Sequence, residues 1–226
     1  PMQYLIDSAN LSAIAACMEY YPTVGVTTNP TIISREKRPL TEILPEIRTH
    51  IGPDQWLFAQ VISDTADAMC REAAFYIEKI GGKFSVKIPA TREGLRATRI
   101  CAANGIPVTV TAVFTPQQAL LAARSGAAFV APYVNKLDAY AGDGIALVSE
   151  THALYAQFGL TTQILAASFR NAEQVNRVAL AGADYITLPP VFYDTLIDHP
   201  LTTGAVAGFT KDWQNVYGDT PLDKLL

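Results

Sequence analysis

The sequence predicts an α/β fold, a closed parallel (β/α)8 TIM barrel with an additional C-terminal helix. Three observations predict it. Eight short β-branched or apolar runs alternate with amphipathic stretches, at about 28 residues per unit if eight units share the 226 residues. The runs are mostly apolar, as strands are when helices cover them on both faces. The first run is followed by neither GxGxxG nor GxxxxGK[ST], the phosphate loops that would favour an open doubly wound sheet.

The predicted strands are Tyr4 to Asp7, Gly25 to Thr28, Leu57 to Val61, Phe84 to Ile88, Val108 to Ala112, Phe129 to Tyr133, Gln163 to Ala167 and Tyr185 to Leu188. Between the third and fourth, Ala66, Met69, Ala73, Tyr76, Ile77 and Ile80 recur at spacings of three and four. They predict a helix over Asp64 to Ile80 with one apolar face. Thr91 to Ala103, Pro116 to Ser125, Ile145 to Phe158 and Ala172 to Ala181 follow the same pattern. Gly105, Gly126, Gly159 and Gly182 stand where such helices close. The last helix, at about 202–216, carries Val206, Phe209, Trp213 and Val216 along one side, suited to capping the barrel or docking on a neighbouring subunit. No linker or low-complexity tract divides the chain. Pro1 ahead of Met2 reads as a remnant, so a single domain is expected over 2–226.

With 17 Lys+Arg against 21 Asp+Glu, the net charge of −4 offers no basic surface for nucleic acid. Cys17, Cys70 and Cys101 are widely spaced, odd in number and without a CxxC pair, which points away from a disulfide framework and towards a reducing cytoplasm. The longest uncharged run, Ile100 to Ala123, contains Gly105, Pro107 and Pro116 and reads as a strand beside a helix, not a membrane span. No basic segment followed by an apolar stretch marks a secretory signal at the N-terminus.

In a barrel of this type the site lies at the C-terminal ends of the strands. There the sequence places Asp7, Thr27 with Asn29, Gln60, Lys87, Thr111, Tyr133 and Ser168. Polar residues also mark where any strand stops, but seven strands contributing together weaken that reading. Lys87 stands inside the apolar run Phe84-Ser85-Val86-Lys87-Ile88-Pro89, where a charged ammonium is costly to desolvate. Desolvation lowers a lysine's pKa, and a neutral amine there can form a Schiff base with a substrate carbonyl. The alternatives are a lysine reaching out to solvent or one paired with Asp7. A Schiff-base reaction needs proton carriers, for which Asp7 and Tyr133 supply a carboxylate and a phenol. Gln60 cannot itself be a base and would hold a water. Ser168, Arg170 and Lys136 form a candidate anion clamp, although Arg170 suits a surface ion pair equally well. His50, His152 and His199 are scattered without metal-ligand spacing, so no metal is expected. No GxSxG elbow is present.

Gly25-Val26-Thr27-Thr28-Asn29-Pro30, Phe58-Ala59-Gln60-Val61, Val86-Lys87-Ile88-Pro89, Thr111-Ala112-Val113-Phe114, Ala131-Pro132-Tyr133-Val134-Asn135, Ala166-Ala167-Ser168-Phe169 and Ile186-Thr187-Leu188-Pro189 resemble the transaldolase family in composition and order. The resemblance is strongest to its short fructose-6-phosphate aldolase branch. It implies a class I mechanism without metal or other cofactor, in which Lys87 forms the imine. It places Asp7, Thr27 and Asn29 around the donor hydroxyls, with Asp7 also moving the proton at the cleaved bond. Gln60, Thr111 and Tyr133 then position the catalytic water, and Lys136, Ser168 and Arg170 bind the substrate's phosphate. Transaldolases usually carry glutamate where Gln60 stands and phenylalanine where Tyr133 stands, so both positions look like the aldolase branch. Lys136 stands where arginine is usual and Arg170 where the short aldolases often have lysine. That exchange leaves a ketose with another terminal anion, such as a sulfonate, as an alternative substrate.

The implied reaction is cleavage or formation of a ketose phosphate, such as fructose 6-phosphate, to dihydroxyacetone and glyceraldehyde 3-phosphate. A transaldolase passing the same three-carbon unit between sugar phosphates is the first alternative, and a non-catalytic sugar-phosphate binding protein the second. Phe209-Thr210-Lys211-Asp212-Trp213-Gln214 is similar to the C-terminal helix that the short relatives use in assembling pentamers and decamers. A homo-oligomer of that size is therefore expected, with no nucleic-acid or membrane partner.

Overall fold

Eight parallel strands pair in chain order, and β8 returns to β1, so the sheet closes into a barrel. The computed structural model describes residues 1–225. It divides into two compact units, Pro1–Tyr193 and Asp194–Leu226. The strands are β1 (Gln3–Asp7), β2 (Thr23–Thr27), β3 (Trp56–Gln60), β4 (Phe84–Pro89), β5 (Val108–Val113), β6 (Phe129–Pro132), β7 (Gln163–Ala166) and β8 (Tyr185–Leu188). The helices are α1 (Leu11–Tyr20), α2 (Pro30–Arg35), α3 (Leu40–Ile51), α4 (Ala66–Lys79), α5 (Arg92–Ala103), α6 (Pro116–Arg124), α7 (Val134–Asp138), α8 (Gly144–Phe158), α9 (Ala172–Leu180), α10 (Pro190–Ile197) and α11 (Pro200–Tyr217).

All eight predicted strands are present, most shifted at an end by only one or two residues. β2 starts at Thr23 because Tyr4 pairs with Thr23, a contact set by the partner strand. Tyr133 falls beyond β6, where it bridges to Ala167 and precedes α7. The helices α2 and α7 have six and five residues, too few turns for an apolar period to be legible in the sequence.

Period-two alternation sorts the strand residues. Val26, Val86, Ile88, Val110, Val130 and Ile186 are fully buried. Leu5, Phe58, Phe129, Leu165 and Tyr185 form one packed cluster, with the Phe58 and Phe129 rings edge-on at 5.2 Å. Two positions further along the same strands stand Asp7, Gln60 and Thr187. The aromatic layer thus plugs the barrel below a polar layer at the strands' C-terminal ends.

The turns leaving those ends are capped locally. Asn29 Oδ1 accepts from Ile32 N–H (2.9 Å) with Pro30 opening α2, Thr91 caps α5, Thr115 and Gln118 form a capping box on α6, and Asn171 caps α9. Gly159 closes α8 in the left-handed conformation, φ 61°. Gly94 has a different reason: a Cβ there would meet the Pro89 carbonyl oxygen at 1.9 Å. A bare backbone lets α5 press on the end of β4, two residues past Lys87. No described helix is long and apolar enough to cross a membrane.

Candidate active site

Lys87 is 6% exposed, and its Nζ donates to the Thr28 carbonyl at 2.9 Å. The register sets Lys87 beside Gln60 on β3 and Thr109 on β5, so these three share one level of the barrel. Burial pushes the ammonium's pKa down, with the Asp7 carboxylate opposing the shift. Asp7 is pushed the other way, chiefly by burial and against the pull of Lys87, the Thr27 hydroxyl and Arg35. The Thr27 hydroxyl donates to Asp7 Oδ1 (2.8 Å) and also contacts the Thr187 hydroxyl (2.5 Å), which orients the carboxylate.

Opposing shifts in one amine and one carboxyl bring the neutral-amine form closer to neutral pH than it is for an ordinary lysine. These side chains border a cavity of about 240 Å³. Tyr133 also faces it. Its phenol is within 3.0 Å of the Thr111 hydroxyl and its ring stands edge-on to Phe114. Burial raises the Tyr133 pKa, with the Thr111 hydrogen bond opposing. The phenol is thus a proton donor at neutral pH.

Seven of the ten expected site residues line this cavity: Asp7, Thr27 and Lys87, then Asn29 and Tyr133, and finally Lys136 and Ser168. Asn29 spends its Oδ1 on the helix cap, which leaves its Nδ2 for a ligand. Thr111 is one bond removed, behind Tyr133. Gln60 is outside the lining but level with Lys87, and its main-chain carbonyl accepts from the Tyr76 hydroxyl at 2.9 Å. Arg170 is exposed and also outside the lining, and its backbone N–H donates to Gln174 Oε1 at 2.7 Å.

Thr31, Thr109 and Thr187 line the cavity without having been singled out from sequence. Period two from Tyr185 would have pointed to Thr187, whereas Thr31 sits in the first turn of an illegible short helix. Two non-glycine residues in left-handed backbone mark the same end of the barrel. Ala112 (φ 56°) makes the β5 bulge after Thr111, and Ser168 (φ 66°) turns the chain out of β7. Each costs about 1–3 kcal/mol, a kind of strain that clusters at functional sites.

The carboxyl ends of barrel strands are where this fold carries out catalysis, and a buried lysine in a polar cavity there marks a barrel enzyme. The sequence matches the family model described as Transaldolase/Fructose-6-phosphate aldolase over residues 4–220. The chain belongs to that family and is an enzyme of the aldolase/transaldolase type. It is 42% identical over 213 residues to a protein of Caulobacter vibrioides named a probable transaldolase, covering 94% of this chain and 96% of the relative. A probable transaldolase of Aquifex aeolicus is 40% identical over 216 residues, covering 95% and 98%.

Among solved structures, an L230A mutant flavocytochrome b2 with benzoylformate superposes with a TM-score of 0.61 at 15% identity. It covers 86% of this chain and 59% of that one. That likeness is one of fold, and the chain spans less than two thirds of the larger protein.

Proposed function

We propose that this enzyme is a class I aldolase that cleaves, and in reverse forms, a ketose phosphate such as fructose 6-phosphate. The reading is carried by Lys87, a buried amine in one cavity with Asp7 and with Tyr133 bonded to Thr111. Neutral Lys87 adds to the C2 carbonyl, and loss of water from the carbinolamine leaves an iminium. Asp7 accepts the C4 hydroxyl proton, the C3–C4 bond breaks, and its electron pair flows through C2 to the imine nitrogen, forming an enamine. Glyceraldehyde 3-phosphate leaves. Protonation of the enamine at C3 and addition of water at C2 release dihydroxyacetone and free Lys87.

Tyr133, Thr111 and Gln60 are the group proposed to hold that water, with the phenol as its proton donor. Lys136 and Ser168, both lining the cavity, are assigned to the phosphate, with Arg170 at its outer edge. Cys17, Cys70 and Cys101 as thiols fit a reducing cytoplasm as its compartment.

The names of the curated relatives favour the second reading, transfer of the dihydroxyacetone unit to an aldose phosphate. Tyr133 favours the first, because a donor beside the enamine ends the cycle by protonation. Incubation with fructose 6-phosphate and borohydride is expected to leave a reduced three-carbon adduct on Lys87, located by mass spectrometry. Free dihydroxyacetone is expected without any acceptor aldehyde. An adduct with product only when acceptor is present would make it a transaldolase, and no adduct at all would leave a sugar-phosphate binding protein.

We also propose a homo-oligomer, a pentamer or decamer, built through α11. Val206, Phe209 and Val216 on that helix are exposed, an apolar stripe that a partner copy would cover. A mass several times 24.4 kDa is expected by light scattering, and a monomer would overturn the assignment.

A further inference from the structure

Lys136 stands on α7, after β6, while Ser168 and Arg170 stand in the turn after β7. The anion site therefore depends on how two separate loops are held together. Two ties are main chain, Val134 N–H to Ala167 O at 2.9 Å and Asn135 N–H to Ser168 O at 2.7 Å. A third is a side chain. Gln174, on the first turn of α9 and 6% exposed, accepts from Arg170 N–H with Oε1 (2.7 Å) and donates from Nε2 to Asp138 Oδ2 (2.7 Å) and Asn135 Oδ1 (3.4 Å). Its own N–H is capped by Asn171 Oδ1 at 2.9 Å.

The chemistry of this contact is directional. One end of the Gln174 amide meets an N–H and must accept, whereas the other meets a carboxylate and must donate. A glutamate would still accept from Arg170 but would set two carboxylates face to face, in a place with little water to screen them. Asp138 is itself fixed, because its Oδ1 accepts from Gly144 N–H at the start of α8 (2.7 Å). The amide thus ties the start of α9 to the end of α7. Lys136 is two residues before Asp138, and Arg170 is the residue whose backbone Gln174 holds. Gln174 lies outside the cavity lining, and its amide is taken up by Arg170 N–H, Asp138 and Asn135, so it acts through these neighbours.

We infer that Gln174 is the positioning residue of the anion site, setting the spacing of Lys136 from Ser168 and Arg170 and so the enzyme's selectivity for a phosphorylated over an unphosphorylated substrate. This rests on the aldolase reading above. The readout is the ratio of kcat/KM in aldol addition of dihydroxyacetone to glyceraldehyde 3-phosphate over that to glyceraldehyde. A general loss of structure slows both aldehydes and leaves the ratio in place, whereas displacement of the anion site lowers it.

Gln174→Glu is expected to lower the ratio about tenfold, mainly through KM for the phosphorylated aldehyde, the size expected for one charge-assisted hydrogen bond. The double variant Gln174→Glu with Asp138→Asn reverses donor and acceptor while keeping one carboxylate. It is expected to restore the ratio to within about threefold. Should Gln174→Glu not accumulate as folded protein, Asp138→Asn breaks the same contact from the other side and is read in its place.

Equal slowing of both aldehydes, or no recovery in the double variant, would overturn the inference. Lys136→Met, run in parallel, separates it from its parent. A ratio lowered by Lys136→Met but not by Gln174→Glu removes the positioning role alone. A ratio unmoved by Lys136→Met removes the phosphate assignment and this inference with it. Absence of a borohydride adduct on Lys87 removes the aldolase reading itself.

Discussion

Replacing Lys87 by methionine is expected to lower kcat/KM by at least about 10⁴-fold, near 5 kcal/mol of barrier, and to eliminate the borohydride adduct. Methionine matches the length of the stem but has no amine to attack the carbonyl. The same substitution is expected to stabilise the fold. Burial places the folded-state pKa of Lys87 below the ordinary lysine value of 10.5. Between those two values the unfolded chain binds the extra proton, so stability rises with pH across that window and is already diminished below it.

Methionine removes this penalty. It forfeits the hydrogen bond to Thr28 O, worth about 1 kcal/mol, and the attraction that favours an ionised Asp7, but avoids an amine desolvation of several kcal/mol, leaving a net gain of about 1 kcal/mol. The melting temperature at neutral pH is expected to rise by about 3 °C, the shift that about 1 kcal/mol produces in a chain of this size. Full activity in a folded Lys87→Met protein would end the Schiff-base account. A lower melting temperature would show that the lysine is held for stability.

Asp7→Asn is expected to cut kcat about 10³-fold while an adduct still forms on Lys87, because imine formation and bond cleavage use different groups. The asparagine keeps an oxygen to accept from Thr27, so orientation survives and basicity is lost. The pH profile separates the two groups. Once the imine exists Lys87 no longer titrates, so the acid limb of kcat reports Asp7, whereas kcat/KM reports the free enzyme's Lys87 as well. Asp7 must be ionised to accept a proton and its pKa is raised, so the acid limb of kcat lies above the usual carboxylate range. Asp7→Asn is expected to flatten that limb. Retention of the limb in single-turnover cleavage would assign it to another group.

How much of this was legible without a structure differs from residue to residue. The eight strands read clearly because each is an apolar run between turn signals, information held within four to six residues. Lys87 stood out because a charge inside such a run contradicts its surroundings, and the ordered motifs around it resemble one family along nearly the whole chain. Thr31 and the helix that carries it were not legible, since six residues hold too little periodicity. Arg170 shared its sequence signal with Lys136, yet Lys136 lines the cavity and Arg170 lies outside it. Nothing local distinguishes two cations at the ends of neighbouring strands. Gln174 reads as an ordinary helix residue until Asp138, 36 positions away, is brought to 2.7 Å.

By itself the sequence determined the barrel and the lysine within its fourth strand, because alternation is written into consecutive residues, and its ordered motifs carried the resemblance to one family. Only the tertiary structure decided which polar ends converge on one cavity, that burial moves Lys87 and Asp7 towards each other in pKa, and which side chain joins the loops after β6 and β7. Those properties arise from distances between elements far apart in the chain. Such distances come into being only when the sheet closes on itself and excludes water.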